Sequence, residues 1–278
     1  MLTFIAVLLL LPLFIHWGFK LPKKLEKTDP SSLGLTFETV SIPTVSNKHL
    51  FGWRIPSAKS NTTIIMIHGW GSNAEEMMPL ALPFHNAKIN LLLIDSRNHG
   101  QSDRDNHSSL PRFAEDLGMS IEWLKKNHPK TSQKIVLLGH SVGAGAVLFT
   151  ASKRQDVDAV ISISAFAHPK WMMQRFFKTV HIPSLLISPI LHYIEWLIGH
   201  RYEDIAPINT INLINCPILL IHGKADKTVP IEDALAIKEG CKSTHVKFLI
   251  VEDADHDSIE KIKEHEEELV GFVREALS

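Results

Sequence analysis

Six short, continuous apolar runs, separated by stretches of helix length, limit the folds open to this chain more than any other feature. A strand that helices cover on both faces has no side in water, so it is apolar throughout instead of alternating. Repetition of strand and helix in this order predicts a doubly wound, mostly parallel α/β sheet. The six predicted strands are 63–67, 90–94, 134–138, 159–164, 218–221 and 247–251.

The segments around these runs complete the predicted architecture. Alternation of apolar and polar residues in 37–44 and 49–55 predicts an antiparallel pair of strands ahead of the parallel sheet. The predicted helices are 74–86, 112–127, 142–153, 231–239 and 258–276.

Composition narrows the class of protein. A chain of 278 residues, 45% of them hydrophobic, is long enough for one large α/β domain, which we place at 37–278. The formal net charge of −1 gives no basic excess for a phosphate backbone, so nucleic acid is not an expected partner. Two cysteines do not suggest a disulfide framework, and the sixteen histidines lack metal-binding spacing, so no metal is expected.

The amino terminus departs from soluble character. Residues 2–19 are almost wholly apolar, and as a helix they would reach about 27 Å, just short of a hydrocarbon core of about 30 Å. We expect an uncleaved membrane anchor at 1–20 and a linker at 21–36. The positive-inside rule places the domain 37–278 in the cytoplasm, because lysines follow the apolar run. These lysines are Lys20, Lys23, Lys24 and Lys27.

Two other interpretations of this segment stay open. A signal peptide would export the protein, although no Lys or Arg precedes the run and no clear cleavage site follows it. A buried amphipathic helix is the third interpretation, and the absence of a polar face weakens it.

One connection, 166–215, is too long for a simple crossover between strands. An insertion of this length is expected to have its own structure and often acts as a lid over an active site. Its many apolar and aromatic residues either line a hydrophobic substrate site or form the insertion's own core. They include Trp171, Met172, Met173, Phe176, Phe177, Leu185, Leu186, Ile187, Ile190, Leu191, Tyr193, Trp196 and Leu197.

The segment Gly139-His140-Ser141-Val142-Gly143 has the pattern G-x-S-x-G. It directly follows the predicted strand 134–138 and precedes a predicted helix, which is the context of a nucleophile elbow. A glycine pair around a serine is common by chance, but this placement between strand and helix makes chance improbable. Ser141 is therefore the candidate nucleophile.

On these residues the chain resembles the α/β-hydrolase superfamily, from about residue 37 to the carboxyl terminus. In that family an acid and a histidine follow the nucleophile along the chain, in loops after late strands. The resemblance implies that Asp226 is the acid and His256 the base. No carboxylate follows the preceding strand in Ser164-Ala165-Phe166, which strengthens Asp226. Alone, Asp226 would be a turn residue and His256 a solvated loop residue.

The resemblance also implies two oxyanion donors. One is the backbone N–H of Val142, after the nucleophile, and the other is the N–H of Trp70, because His68-Gly69-Trp70-Gly71 looks like the family's His-Gly-x-Gly element. The segment 95–102 is similar to the family's Asp-x-Arg-Gly-His-Gly-x-Ser turn. Asn98 replaces the usual glycine there, and Asn tolerates left-handed geometry. We expect this turn to be structural.

Together these residues imply a serine hydrolase without a cofactor, in which Ser141 takes the acyl group and His256 acts as base and then acid. The apolar insertion and the apolar amino terminus favour a hydrophobic acyl ester or lipid-like substrate. The chain looks similar to the branch with monoacylglycerol lipases and serine aminopeptidase-like proteins. A thioesterase, an acyltransferase and a peptidase stay open as alternatives, and a non-catalytic binding protein is the least favoured.

Overall fold

One eight-stranded sheet organises the chain in a computed structural model that describes residues 22–242 and 244–278. The predicted anchor, 1–20, lies outside the described residues. In spatial order the strands are β1-β2-β4-β3-β5-β6-β7-β8. Their bounds are β1 (Glu38–Thr44), β2 (Lys48–Ile55), β3 (Thr62–Ile67), β4 (Asn90–Ile94), β5 (Lys134–His140), β6 (Ala159–Ile163), β7 (Ile218–Gly223) and β8 (Val246–Val251).

The direction of the strands follows the pattern of the sequence. The two alternating segments form an antiparallel hairpin of β1 and β2, and β2 pairs antiparallel with β4. From β4 through β3 to β8 every pair is parallel. The sheet is therefore mostly parallel, as predicted.

Helices cover both faces of the sheet. Alternate residues of each central strand enter opposite cores: Ile65 and Ile67 lie in one, Ile64 and Met66 in the other, and all four are buried. This is why the strands are apolar at every position. The helices are α1 (Met78–Asn86), α2 (Leu110–Asn127), α3 (Val142–Lys153), α4 (Pro169–Thr179), α5 (Ser184–Ile198), α6 (Tyr202–Ile205), α7 (Pro207–Thr210), α8 (Ile231–Gly240), α9 (Ile259–Lys263) and α10 (Glu266–Leu277).

Two predicted helices differ from the structure. The predicted helix 74–86 begins with a 3-10 turn, Ala74–Met77, and becomes α-helical only at Met78. The predicted helix 258–276 is wrong as a single helix, because His265 has φ −93° and ψ 34° and separates α9 from α10. Residues 263–268 are all polar, so no buried side chain holds the helix to the sheet at the break.

The segment predicted as a linker, 21–36, contacts the domain from Lys23 onwards. It contains a 3-10 helix, Pro30–Leu33, and buries Pro30 and Leu35. Across residues 22–242 and 244–278, no helix has both the length and the apolar character needed to cross a membrane.

The insertion predicted at 166–215 carries α4 to α7 and a 3-10 turn, Ile211–Leu213. The apolar residues of the insertion divide between buried and exposed positions, and a substrate site lined by them stays a prediction. Phe177, Ile190, Leu191 and Ile194 are buried against the domain, whereas other members of the set face solvent. Arg175 in α4 donates two hydrogen bonds of 2.8 Å to Asp233 in α8, and this ion pair ties the insertion to the domain.

Candidate active site

Ser141 occupies the sharp turn between β5 and α3. Its φ of 55° and ψ of −115° place it outside the usual regions for a residue with a side chain. Such a turn brings strand and helix so close that only small neighbours fit. A Cβ on Gly143 would lie 2.7 Å from Ile67 O, and one on Gly139 would overlap the backbone of Gly143. The two glycines of the G-x-S-x-G pattern are therefore required by packing.

A chain of hydrogen bonds links the three predicted catalytic residues. His256 Nε2 lies 2.9 Å from Ser141 Oγ, and His256 Nδ1 lies 2.7 Å from Asp226 Oδ2. A carboxylate only accepts, so Nδ1 carries the proton and Nε2 is free to accept from the serine hydroxyl. The three residues follow β5, β7 and β8, and they meet at the carboxyl ends of the parallel strands, which we call the catalytic edge.

Asp226 is fully buried and held as a carboxylate. Burial by itself would raise the pKa of this carboxyl, but hydrogen bonds from His256 and from the Val229 amide outweigh burial and hold the pKa below its ordinary value. Its Oδ1 accepts from Thr228 N at 2.9 Å and from Val229 N at 2.8 Å. The turn role that the sequence suggests for Asp226 thus coexists with its bond to the imidazole.

His222, which the sequence analysis did not single out, supports the loop that carries Asp226. Its Nε2 lies 2.8 Å from Val229 O and 3.6 Å from Asp226 Oδ2, and the side chain is buried. Burial lowers the pKa of His222, which favours the neutral ring. Because a neutral ring has one N–H, the bond to Val229 O fixes that proton on Nε2.

His140, inside the G-x-S-x-G segment, joins the nucleophile's turn to the loop of the base. Its Nε2 lies 2.8 Å from the backbone oxygen of His256, and the two rings are 5.0 Å apart. Its Nδ1 lies 3.8 Å from Glu76 Oε2. Burial opposes charge on both groups, yet their attraction prevails: it raises the pKa of His140 and lowers that of Glu76 to about 2. The sequence gives no signal for Glu76.

The loop predicted to supply an oxyanion donor lies against the nucleophile. A Cβ on Gly69 would be 3.1 Å from Ser141 Cβ, so this loop approaches the serine as closely as a glycine permits. His68 shapes the loop, because its Nδ1 bonds Gly69 O at 2.7 Å and its Nε2 accepts from Ser96 N at 3.1 Å. Burial lowers the pKa of His68 to about 3 and keeps it neutral.

The two predicted donors thus belong to two segments that both adjoin Ser141. Val142 is the first residue of α3 and directly follows the nucleophile. Trp70 directly follows Gly69, and its indole meets the His99 ring edge to face at 6.0 Å. Donation by these two amides to an oxyanion stays a prediction.

Backbone geometry and hydrogen bonds hold the turn 95–102 in place. Asn98 adopts φ 70°, the left-handed geometry that an asparagine tolerates. Its side chain also accepts from Asp105 N at 2.6 Å and donates to Ser108 Oγ at 3.2 Å. The buried Arg97 Nε donates to Asp116 Oδ1 at 2.7 Å, which fixes the turn on α2.

Among the described residues, His140, His256 and Asp257 bring possible metal-ligand atoms within 4.8 Å of one another. Both ring nitrogens of His256 are already hydrogen-bonded to Ser141 and Asp226, and His140 Nε2 to a backbone oxygen. These hydrogen bonds explain why the histidines of the group lie close together.

Comparisons with known proteins identify the family of the chain. Residues 58–212 match the family model Hydrolase_4, described as serine aminopeptidase, S33. The esterase Pf2001 of Pyrococcus furiosus superposes with a TM-score of 0.73 at 26% identity, over 93% of this chain and 96% of the esterase. The uncharacterized protein YqkD of Bacillus subtilis is 27% identical over 221 residues, 77% of this chain and 71% of YqkD.

A eukaryotic relative extends the comparison. Protein bem46 of Schizosaccharomyces pombe is 24% identical over 224 residues, which are 79% of this chain and 70% of bem46. The family model covers more than half of the chain, and the superfamily is the one that the elbow predicts. The chain therefore belongs to the serine aminopeptidase S33 (Hydrolase_4) family and has the α/β-hydrolase fold.

Proposed function

We propose that this hydrolase cleaves carboxylic esters of hydrophobic acyl groups through Ser141, His256 and Asp226. The observation that carries the proposal is the continuous hydrogen-bonded chain from Ser141 Oγ through His256 to the buried Asp226. A serine hydroxyl is a weak nucleophile at neutral pH, and this arrangement supplies both a base and a group that orients the base.

The reaction has two balanced steps. Ser141 Oγ attacks the carbonyl carbon while His256 Nε2 takes its proton; the tetrahedral intermediate collapses, and His256 returns that proton to the leaving alcohol. Water then gives a proton to His256 and attacks the acyl-enzyme, and the proton returns to Ser141 as the acid leaves. The N–H groups of Val142 and Trp70 would stabilise the oxyanion in both steps.

The preference for a hydrophobic ester rests on two observations. Large apolar side chains of α4 and α5 face solvent in the insertion beside the catalytic edge, and Phe166, at the start of the insertion, lies next to Gly145 of α3. The Pyrococcus protein with 26% identity is described as an esterase. Thioesters and aminoacyl amides would be cleaved through the same acyl-enzyme, and an alcohol in place of water would turn hydrolysis into transfer. The substrate panel below separates these alternatives.

Covalent labelling tests the nucleophile. A fluorophosphonate probe should label the wild-type protein and leave Ser141→Ala unlabelled, while Ser162→Ala, a buried serine on the neighbouring strand β6, should label normally. Absence of labelling in the wild type, or full labelling of Ser141→Ala, would contradict the assignment of Ser141 as the nucleophile.

A substrate panel tests the bond that is cleaved. We expect p-nitrophenyl esters of increasing chain length to be hydrolysed faster than a matched acyl thioester and a p-nitroanilide of an amino acid. Adding an alcohol separates hydrolysis from transfer, because a transferase would release an ester product in place of the acid. A faster reaction with the anilide would replace the esterase proposal with a peptidase.

The location of the enzyme is a separate proposal. Residues 1–20 anchor the chain in a membrane, and the catalytic domain faces the cytoplasm, because the lysines after the apolar run are retained on that side. Deleting residues 1–20 should release active protein from the membrane fraction. Folded protein that remains in the pellet after this deletion would rule out the anchor.

A further inference from the structure

The first described residues form a strap, 22–28, that is bonded to the catalytic edge. Two loops hold it, one after β3 and one after β4, and both lie at the same ends of the strands as Ser141. To the loop after β4, Lys23 Nζ donates to Ser102 O, and Glu26 Oε2 accepts from Gln101 Nε2 at 2.9 Å. To the segment after β3, Lys24 O accepts from Asn73 Nδ2 at 2.9 Å. Lys27 N and Thr28 Oγ1 donate to the Glu75 carboxylate at 2.8 and 2.7 Å.

This attachment fixes where the apolar run 2–19 meets the domain. Phe19, its last residue, is four residues from Lys23, and four residues span at most about 14 Å even when fully extended. An apolar run that lies in a bilayer therefore keeps the strap, and the loops bonded to it, near the surface of that bilayer.

The α4–α5 hairpin, 169–198, presents apolar surface in the insertion that leaves the same edge. Five of the nine large hydrophobic side chains exposed in the described part of the chain lie in this hairpin. Leu185 is 78% exposed and Trp196 is 74% exposed, and the others are Trp171, Phe176 and Val180. Exposed apolar clusters with tryptophan are typical of surfaces that enter a membrane interface.

Positive charge accompanies this apolar surface. The hairpin contains Lys170 and Lys178 against one acidic residue, Glu195, while its third cation, Arg175, is paired with Asp233 of α8. The strap and the residues just before it carry four lysines and one glutamate. Both segments thus have the excess of positive charge that attracts an anionic lipid surface.

We propose that the catalytic edge faces a lipid bilayer containing anionic lipids, held there by the amino-terminal run on one side and by the exposed face of the α4–α5 hairpin on the other. The proposal rests on the proposed ester hydrolysis only for its consequence: a hydrophobic ester passes from the bilayer to Ser141 without crossing bulk water. The orientation of the domain is independent of which ester is cleaved.

A pair of substitutions on the hairpin tests the orientation with the full chain in vesicles of phosphatidylcholine and phosphatidylglycerol. Leu185→Glu combined with Trp196→Glu should lower hydrolysis of a long-chain ester in the vesicles by about tenfold or more, since two charges enter the apolar contact. Hydrolysis of a soluble p-nitrophenyl ester should not change. Leu213→Glu is the matched control, because Leu213 is 57% exposed but lies five residues before the amino end of β7, at the opposite edge.

Fluorescence quenching by brominated lipids tests the contact without any assay of activity. In a Trp17→Phe background, which removes the tryptophan of the apolar run, brominated acyl chains should quench part of the tryptophan emission. Adding Trp196→Phe should lower that quenching and leave the part contributed by Trp171 of the same hairpin, whereas adding Trp123→Phe, on α2, should not lower it.

Three results would overturn the proposed orientation: equal quenching with and without Trp196, unchanged vesicle activity in the double glutamate variant, or an equal loss of vesicle activity in Leu213→Glu. Equal quenching is also the expected result if the apolar run covers the hairpin of its own chain. If the wild-type protein did not hydrolyse the soluble ester, the proposed function would be contradicted instead. The two proposals therefore fail on different results.

Discussion

The loops of the catalytic edge and the α4–α5 hairpin use their side chains in opposite ways. In the loops, Ser141, Asp226 and His256 are buried polar residues that are hydrogen-bonded to one another through their side chains. In the hairpin, large apolar side chains such as Leu185 and Trp196 have their main surface in solvent. The hydrogen-bonded chain proposed to carry the reaction lies wholly within the domain, whereas the hairpin exposes apolar surface that is free to contact something outside the domain.

With the proposed function, this difference predicts that catalysis and access to substrate can be changed independently. A substitution in the loops should act on turnover of every substrate, because it disturbs the atoms that we propose take part in the reaction. A substitution on the outer face of the hairpin should leave turnover of a soluble substrate unchanged.

Ser141→Ala is expected to have the largest effect, a loss of kcat of about 10⁶, because the nucleophile is removed while the fold is kept. Turnover of a soluble p-nitrophenyl ester measures it, with circular dichroism as a check on folding. His256→Ala should match this loss. Turnover in Ser141→Ala near that of the wild type would show that the reaction takes place elsewhere, and the comparison of these loops with the hairpin would no longer hold.

Asp226→Asn should cost less, about 10⁴ in kcat, by analogy with other serine triads, because an amide cannot hold the imidazole in the tautomer that leaves Nε2 free. The control is Asp257→Asn, an exposed carboxylate directly after His256, which should retain nearly full turnover. If Asp257→Asn lost as much activity as Asp226→Asn, the identity of the acid would be wrong.

Within the hairpin, Leu191→Ala and Leu185→Ala should separate its buried face from its exposed face. Leu191 is buried against the domain, so truncation should lower the free energy of unfolding by about 2–4 kcal/mol. The same truncation at the exposed Leu185 should change it by less than about 0.5 kcal/mol. Urea unfolding of both variants measures the difference, and equal losses would mean that the two faces are not distinct.

Glu76→Gln should reduce the free energy of unfolding by about 2 kcal/mol, because His140 loses the carboxylate near Nδ1 in a buried site. The pKa of Glu76 falls from 4.5 to about 2 in the folded protein, so its contribution is complete above 4.5 and is lost as the pH falls. The pKa of His140 rises above 6.5, so its contribution is complete below 6.5 and is lost as the pH rises.

The advantage of the wild type over Glu76→Gln should therefore be greatest between about pH 5 and pH 6 and smaller at pH 8. Urea unfolding at several pH values measures this dependence. Glu239→Gln, an exposed glutamate on α8, is the control and should show little change at any of these pH values. A difference between wild type and Glu76→Gln that is the same at every pH would contradict the ion pair.

Much of this fold could be predicted because its signals are local. Each central strand is a continuous apolar run, and the helix Val142–Lys153 has its predicted bounds. The final helix was predicted without its break at His265, because a charged segment has no apolar pattern that marks where packing stops. Tertiary contact, and not propensity, decides such boundaries.

The sequence determined the candidate nucleophile and, through the resemblance that it carries, the two residues that accompany it, because strand, turn and helix around Ser141 follow from the order of neighbouring residues. Only the tertiary structure showed that Glu76 and His222 reach the same site. Glu76 contacts His140, which is distant in the sequence, and His222 meets Val229 only once the loop between them has folded. It alone decided that the strap is bonded to the catalytic edge. Hydrogen bonds between distant segments leave no periodic trace in a sequence, whereas apolar burial along a strand does.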